Sequence, residues 1–224
     1  MSSTETVIVP PILPGQPRKN DALFMYGALQ PKPFIYAYKQ EHIEIVHGPS
    51  CRREEEIHIG RCEADHIPVI ERRSGGGTVV LAPGMVIVVI VGERSHIKGA
   101  TDCFNTIHDA MISLLSDCGV LGIVRDGISD CAIGSRKILG SSLYMGTHPP
   151  FYYYQSSLLV DPDISLFGRY LKYPPREPEY RNHRTHEEFC TSLVACGIRL
   201  NADAVARLLN KGLKQYIPGL DSAR

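Results

Sequence analysis

The chain has 224 residues, 43% hydrophobic and 21% charged, a balance that allows one sizeable buried core and argues against a disordered chain. Lysine plus arginine (24) equals aspartate plus glutamate (24), so no global field draws the chain to nucleic acid or to an acidic membrane. The seven cysteines are odd in number and form no CxxC pair, which excludes a zinc module or a disulfide framework and suits reduced thiols in a cytoplasmic compartment.

Four prolines, Pro10, Pro11, Pro14 and Pro17, and the lack of a basic start followed by an apolar core mark residues 1–19 as an irregular arm. One domain is expected over 20–224. A short helix is expected over 23–28, a strand over 41–46, and a helix over 54–65 with acidic residues crowding its first turn. Strands follow over 67–72, 78–81 and 85–91. The last two are one apolar stretch cut at Pro83-Gly84, and each piece is too short to cross a bilayer as a helix.

Phe104, Ile107, Met111, Leu114 and Leu115 recur at helical spacing and predict a helix over 101–118. Strands are expected over 122–125, 130–141 and 152–160. A link rich in proline (Pro174, Pro175, Pro178) then leads to helices over 186–196 and 202–215. Strands in close succession with helices between them predict a mixed α/β (α+β) domain whose sheet is mainly antiparallel.

Three segments carry candidate chemistry. Glu71-Arg72-Arg73-Ser74-Gly75-Gly76-Gly77-Thr78 lies between two apolar strands, and its glycines let backbone N–H groups approach a phosphate or carboxylate. A flexible hairpin tip explains the same residues. Gly134-Ser135-Arg136-Lys137-Ile138-Leu139-Gly140 has a lysine in an apolar strand, where strict alternation groups Ile133, Ser135, Lys137 and Leu139 on one face. A lysine guarding an edge strand is the competing explanation.

The third segment, 180–188, gathers Arg181, His183, Arg184 and His186, and its Thr185 and Glu188 have capping-box spacing. His183 and His186 lack a nearby third ligand, so no metal site is expected. Cys131 and Cys190 become nucleophiles only where a base lowers their pKa; small core residues are the alternative. The aromatic run 151–154 suits an acyl-pocket wall and core packing equally.

Taken in order, Arg72-Arg73-Ser74-Gly75-Gly76-Gly77-Thr78-Val79, Ile128-Ser129-Asp130 and Gly134-Ser135-Arg136-Lys137-Ile138-Leu139-Gly140 resemble the lipoate–protein ligase A family. That family belongs with the biotin ligases and octanoyltransferases, and the likeness spans roughly residues 40–195. It implies a class II aminoacyl-tRNA synthetase/biotin ligase-like fold, with a mixed, mainly antiparallel sheet flanked by helices.

The resemblance also implies a reaction: lipoic acid is activated by ATP as lipoyl-adenylate, then passed to a lysine of a lipoyl carrier domain. The implied carriers belong to 2-oxoacid dehydrogenases or are the glycine cleavage H protein, with no nucleic acid or membrane involved. Lys137 is the implied catalytic residue. Arg72, Ser74, Gly75, Gly76, Gly77, Thr78, Asp130, Gly134 and Gly140 are the implied substrate and nucleotide residues, with Asp130 also a contact for magnesium.

Some positions depart from the family pattern: Glu71 stands where an arginine is usual, Met85 where asparagine is common, and 154–157 lack the usual histidines. The resemblance leads to the expectation of a compact member without the C-terminal accessory domain. Two alternatives follow: an ATP-independent octanoyl or lipoyl transferase using a cysteine thioester, and a non-catalytic lipoate- or carrier-binding protein.

Overall fold

The computed structural model describes Phe24, Gly27, Ala28, Gln30, and residues 32–95 and 97–217. The expected arm over 1–19 and most of the helix over 23–28 lie outside them. Nine strands are described: β1 (Phe34–Lys39), β2 (Glu44–His47), β3 (Val69–Glu71), β4 (Val79–Leu81), β5 (Met85–Glu93), β6 (Ile123–Asp126), β7 (Asp130–Ile133), β8 (Arg136–Thr147) and β9 (Pro150–Leu159). They form a six-stranded sheet in the order β1-β5-β9-β8-β7-β6 and a three-stranded sheet in the order β3-β2-β4. Among the described strand pairs only β2 with β3 is parallel, so the mixed, mainly antiparallel architecture is as expected.

The helices are α1 (Arg53–Glu56), α2 (Ile59–Ala64), α3 (Ala100–Asp117), α4 (Ser165–Tyr170), α5 (His186–Phe189) and α6 (Ala202–Gly212). β5 is the hub of the large sheet. Its first eight residues are buried because both neighbours and both faces are covered, and each such valine or isoleucine contributes about 1.5–3 kcal/mol of burial. Val86, Val88 and Ile90 pack with Phe104, Ile107, Met111, Leu114 and Leu115 of α3 and with Val205 and Leu209 of α6. Met85 and Ile87 point the other way, into a second cluster with Ile45, Val80, Phe167 and Phe189. The large sheet is therefore a middle layer between two long helices and the small sheet.

The helix expected over 54–65 is broken. Ile57 leaves helical geometry to bridge Leu171, and the His58 amide donates to the Tyr170 carbonyl at 2.9 Å. This strand-like contact with the chain after α4 outweighs local helix propensity. The strand over 41–46 is shifted to Glu44–His47, and α5 stops at Phe189 instead of continuing to 196. β1 was not expected from the sequence. The side chain of Asn210 on α6 pairs with both backbone groups of Ala37 in β1, at 2.8 and 2.6 Å, so the helix covers part of this sheet edge.

Candidate active site

The segment expected as one strand over 130–141 is a hairpin. Gly134 (φ +60°) and Ser135 form its turn, and the left-handed backbone at Gly134 is the reason a glycine sits there. The register then slips by one residue. Ala132 faces Lys137 while Cys131 faces Leu139, leaving Ile138 as an extra residue on β8. This bulge corrects the expected alternation: it removes Lys137 from the face of Leu139 and places it with Gly140 and Ser142. Asp130 lies directly opposite Gly140, and Lys137 Nζ meets Asp130 Oδ1 at 2.8 Å.

Gly140 is the seat of that ammonium. A Cβ at this position would stand 2.7 Å from Lys137 Nζ and 2.8 Å from its Cε. Gly140 therefore admits the lysine's end across the strand. The Lys137 side chain is 23% exposed and that of Asp130 only 9%, so the pair is shielded without being sealed. Gly134, by contrast, stays at the turn and serves the hairpin's shape.

The glycine loop docks on the same strand. Ser74 Oγ donates to Ser142 Oγ at 2.9 Å, and the Gly75 amide donates to the Leu143 carbonyl at 3.4 Å. Ser74 is buried, whereas Gly75, Gly76 and Gly77 are exposed. Arg72 shapes the loop from behind. Its Nη2 donates to the carbonyls of Gly75 (2.9 Å) and Gly77 (2.8 Å), and its Nη1 to that of Val46 (3.2 Å). The Cys51 thiol takes the Gly76 carbonyl at 3.4 Å. With those carbonyls bound to protein, the Gly76 and Gly77 amides have no protein acceptor among the described residues. Burial pulls the Arg72 guanidinium down to about 10, which still leaves it charged at neutral pH.

Thr78 closes the loop against Glu56, a residue that sequence reasoning missed. Thr78 Oγ1 and the Thr78 amide donate to Glu56 Oε2 at 2.7 and 3.2 Å. Burial works to raise the Glu56 pKa, but hydrogen bonds from Thr78 and the Arg52 amide prevail and hold it below the usual carboxylate range. A carboxylate in α1, four residues after Arg52, carried no sequence signal for this task. Arg73 lies 5.2 Å over the Phe24 ring.

The floor beside Lys137 follows from the register. Gly140 faces Ser157 and Ser142 faces Gln155 on β9, while Ile87 and Val89 of β5 lie beyond them. The patch next to the ammonium is thus small and polar, and it becomes apolar within two strands. Of the aromatic run, Tyr152 and Tyr154 pack into the helix-side core, whereas Phe151 and Tyr153 join Phe24 and Val89 on the site's side of the sheet.

The third segment clamps the hairpin. Arg184 Nη2 donates to the Ser135 carbonyl at 2.8 Å, Arg136 donates to the carbonyls of Glu187 and Cys190, and the Thr191 amide donates to the Lys137 carbonyl at 2.9 Å. The capping box is present, with Glu188 N to Thr185 Oγ1 at 3.3 Å and Thr185 N to the Glu188 carboxylate at 2.8 Å. His183 pairs with Glu177 at 2.7 Å, while His186 Nε2 sits 3.2 Å from the Lys172 carbonyl. No group of three metal-ligating side chains occurs among the described residues.

Cys190 is brought beside Lys137 by a parallel bridge. Burial nonetheless pushes its thiol up to about 11, against the pull of the Lys137 charge. Cys131 is raised to about 12 by burial. Both are neutral thiols at pH 7. All seven cysteines are free, and no described helix is long and apolar enough to cross a membrane.

A basic glycine loop and a lysine–aspartate pair thus share one face of β8, and the model of the lipoyl protein ligase A/B catalytic domain matches residues 21–214. The chain belongs to this family. Its relatives include a lipoate–protein ligase of Streptococcus pyogenes, 28% identical over 107 residues, or 48% of this chain and 30% of that protein. An octanoyltransferase of Dechloromonas aromatica is 30% identical over 105 residues, or 46% of this chain and 49% of that protein. These two alignments reach at most half the length of either relative.

The fold matches that of a bipartite lipoate protein ligase from Thermoplasma acidophilum, described together with its E2 lipoyl domain. The TM-score is 0.72 at 22% identity, covering 86% of this chain and 74% of that one. It also matches a lipoate-protein ligase A bound with ATP, at TM-score 0.69 and 22% identity over 86% and 76%. Against the family pattern, Glu71 ends β3 and faces His47 across the small sheet. Its place beside Arg72 is in the strand rather than in the loop that meets β8.

Proposed function

We propose that this chain activates lipoate with ATP as lipoyl-adenylate and transfers the lipoyl group to a lysine of a lipoyl carrier domain. The observation that carries the reading is the convergence on β8: Lys137 seated at Gly140, and the Ser74–Gly77 loop docked two residues further along at Ser142. A fixed ammonium beside a row of amides is suited to negative charge that develops on a carboxylate and on the phosphate joined to it.

In this reading Lys137 binds the acid's carboxylate and then the acyl-phosphate oxygens. The Gly76 and Gly77 amides receive the phosphate, and Arg72 holds their loop open rather than meeting substrate itself. Asp130 orients Lys137. The neutral acceptor amine attacks the acyl carbon, an amide bond forms as the amine gives up one proton to solvent, and the bond from the acyl carbon to the phosphate oxygen breaks as AMP leaves with the electron pair. No enzyme nucleophile is needed. Magnesium would enter with ATP on its phosphates, because both Asp130 oxygens already have partners. The carrier is taken to be a lipoyl domain of a 2-oxoacid dehydrogenase or the glycine cleavage H protein, in the cytoplasm. The catalytic domain is taken to be the single domain expected over 20–224.

A second reading, transfer of an octanoyl or lipoyl group through a cysteine thioester, has the bridge between Cys190 and Lys137 in its favour. The buried, protonated thiol counts against it. Incubating the protein with an apo carrier domain and measuring the carrier's mass separates the two. Modification by lipoate that requires ATP and magnesium supports the ligase. Modification only from an acylated carrier supports the transferase, and no modification under either condition refutes both.

A further inference from the structure

The Lys137–Asp130 pair has a third member, supplied by the C-terminal clamp. Tyr180 Oη donates to Asp130 Oδ2 at 2.9 Å, while Lys137 holds Oδ1. Ser129 Oγ adds a longer contact to Oδ1 at 3.4 Å. Asp130 is buried, so these protein donors replace most of its water. Tyr180 is itself fixed. Its ring packs on Phe189 with centroids 5.0 Å apart, and Arg184 Nη2 ties the Tyr180 carbonyl (2.7 Å) to that of Ser135 at the hairpin turn. Burial and the Asp130 charge push the Tyr180 phenol above its ordinary value, which keeps it a donor.

We propose that Tyr180 is a positioning residue that acts through Asp130 to aim the Lys137 ammonium. A carboxylate held by one oxygen can turn about its last torsion, and one held by both cannot. Tyr180 fixes Oδ2 and thereby fixes the direction in which Oδ1 faces the lysine. An ammonium has three N–H donors. With one bound to a stationary Oδ1, the other two keep a defined direction toward whatever anion reaches the Gly140–Ser142 face. This assignment rests on the ligase reading only for which anion arrives; the Tyr180–Asp130–Lys137 linkage does not depend on it.

The test is a double-mutant cycle on the full chain with Tyr180→Phe, which keeps the ring packing, and Asp130→Asn. Two readouts are used: transfer kinetics, and the rate at which trace acetic anhydride acetylates Lys137, followed by peptide mass spectrometry without any turnover. Tyr180→Phe is expected to lower kcat about tenfold, with KM for the acyl acid changed less than about threefold. It is also expected to speed Lys137 acetylation several-fold, as the ion pair loosens.

In the Asp130→Asn background the same change is expected to add nothing to either readout. Losses that multiply in both backgrounds would show that Tyr180 acts independently of Asp130 and would overturn the proposal. So would a Tyr180→Phe protein that labels and turns over like the parent. If the parent transfers nothing, the ligase reading fails and the acetylation cycle alone decides: coupled effects support the linkage, and independent effects refute it.

Discussion

Replacing Gly140 by alanine adds one methyl group at the most sensitive point of the site. The new Cβ would lie 2.7 Å from Lys137 Nζ, where ordinary contact begins at 3.4 Å, so the ammonium must retreat by at least about 0.7 Å. The atoms in the way are the far end of a flexible side chain, so the strand absorbs the change and the fold is expected to melt within a few degrees of the parent. The chemistry is far less tolerant. Misplacing a reacting group by about 1 Å costs on the order of 100-fold in rate, or about 2.7 kcal/mol of transition-state stabilisation. Steady-state lipoylation of an apo carrier, with a thermal melt beside it, is the assay. A Gly140→Ala protein with the parent's melting point and turnover within about threefold would refute the idea that this glycine seats a catalytic lysine.

Arg72→Ala removes charged donors from the carbonyls of Val46, Gly75 and Gly77 and should cost about 2–3 kcal/mol in urea unfolding; Arg72→Lys should not restore it, since one ammonium cannot span three carbonyls. His108, buried on α3 against Ser141, titrates at about 4 instead of 6.5 because burial disfavours its charged form. The unfolded chain therefore takes up a proton below pH 6.5 that the folded chain refuses until about pH 4. Stability falls across that window by roughly 3 kcal/mol, and His108→Gln should flatten the fall in unfolding curves measured from pH 7 to 4. Cys190→Ala is expected to keep transfer within about threefold of the parent, because a buried neutral thiol is not the nucleophile; a loss beyond about 100-fold would favour the thioester route.

The elements that could be read from the sequence were those whose pattern reflects a single dominant force. The run 85–91 is apolar because β5 is covered on both faces, and the spacing of Phe104, Ile107, Met111, Leu114 and Leu115 reflects one buried helix face. The resemblance carried the order of the glycine loop, Asp130 and Lys137. It did not carry their geometry. The hairpin turn at Gly134 and the extra residue at Ile138 break a period-2 argument from within, because a single bulge moves Lys137 to the opposite face. The roles of Glu56 and Tyr180 were out of reach for a related reason: each meets its partner across a long stretch of chain, 22 and 50 residues away, and although Tyr180 opens the third candidate segment, nothing there points to Asp130. The break at Ile57 likewise depends on Leu171, which no local propensity reports.

Lys137 carries the account, and its side chain is the place to strike. An apo lipoyl carrier incubated with ATP, magnesium, lipoate and the parent protein should gain the mass of one lipoyl group. With Lys137→Ala, assayed under conditions where a thermal melt shows the variant folded, the carrier's mass should not change. Modification of the carrier by that variant at close to the parent's rate would contradict the assignment of Lys137 as the group that meets the activated acyl carboxylate.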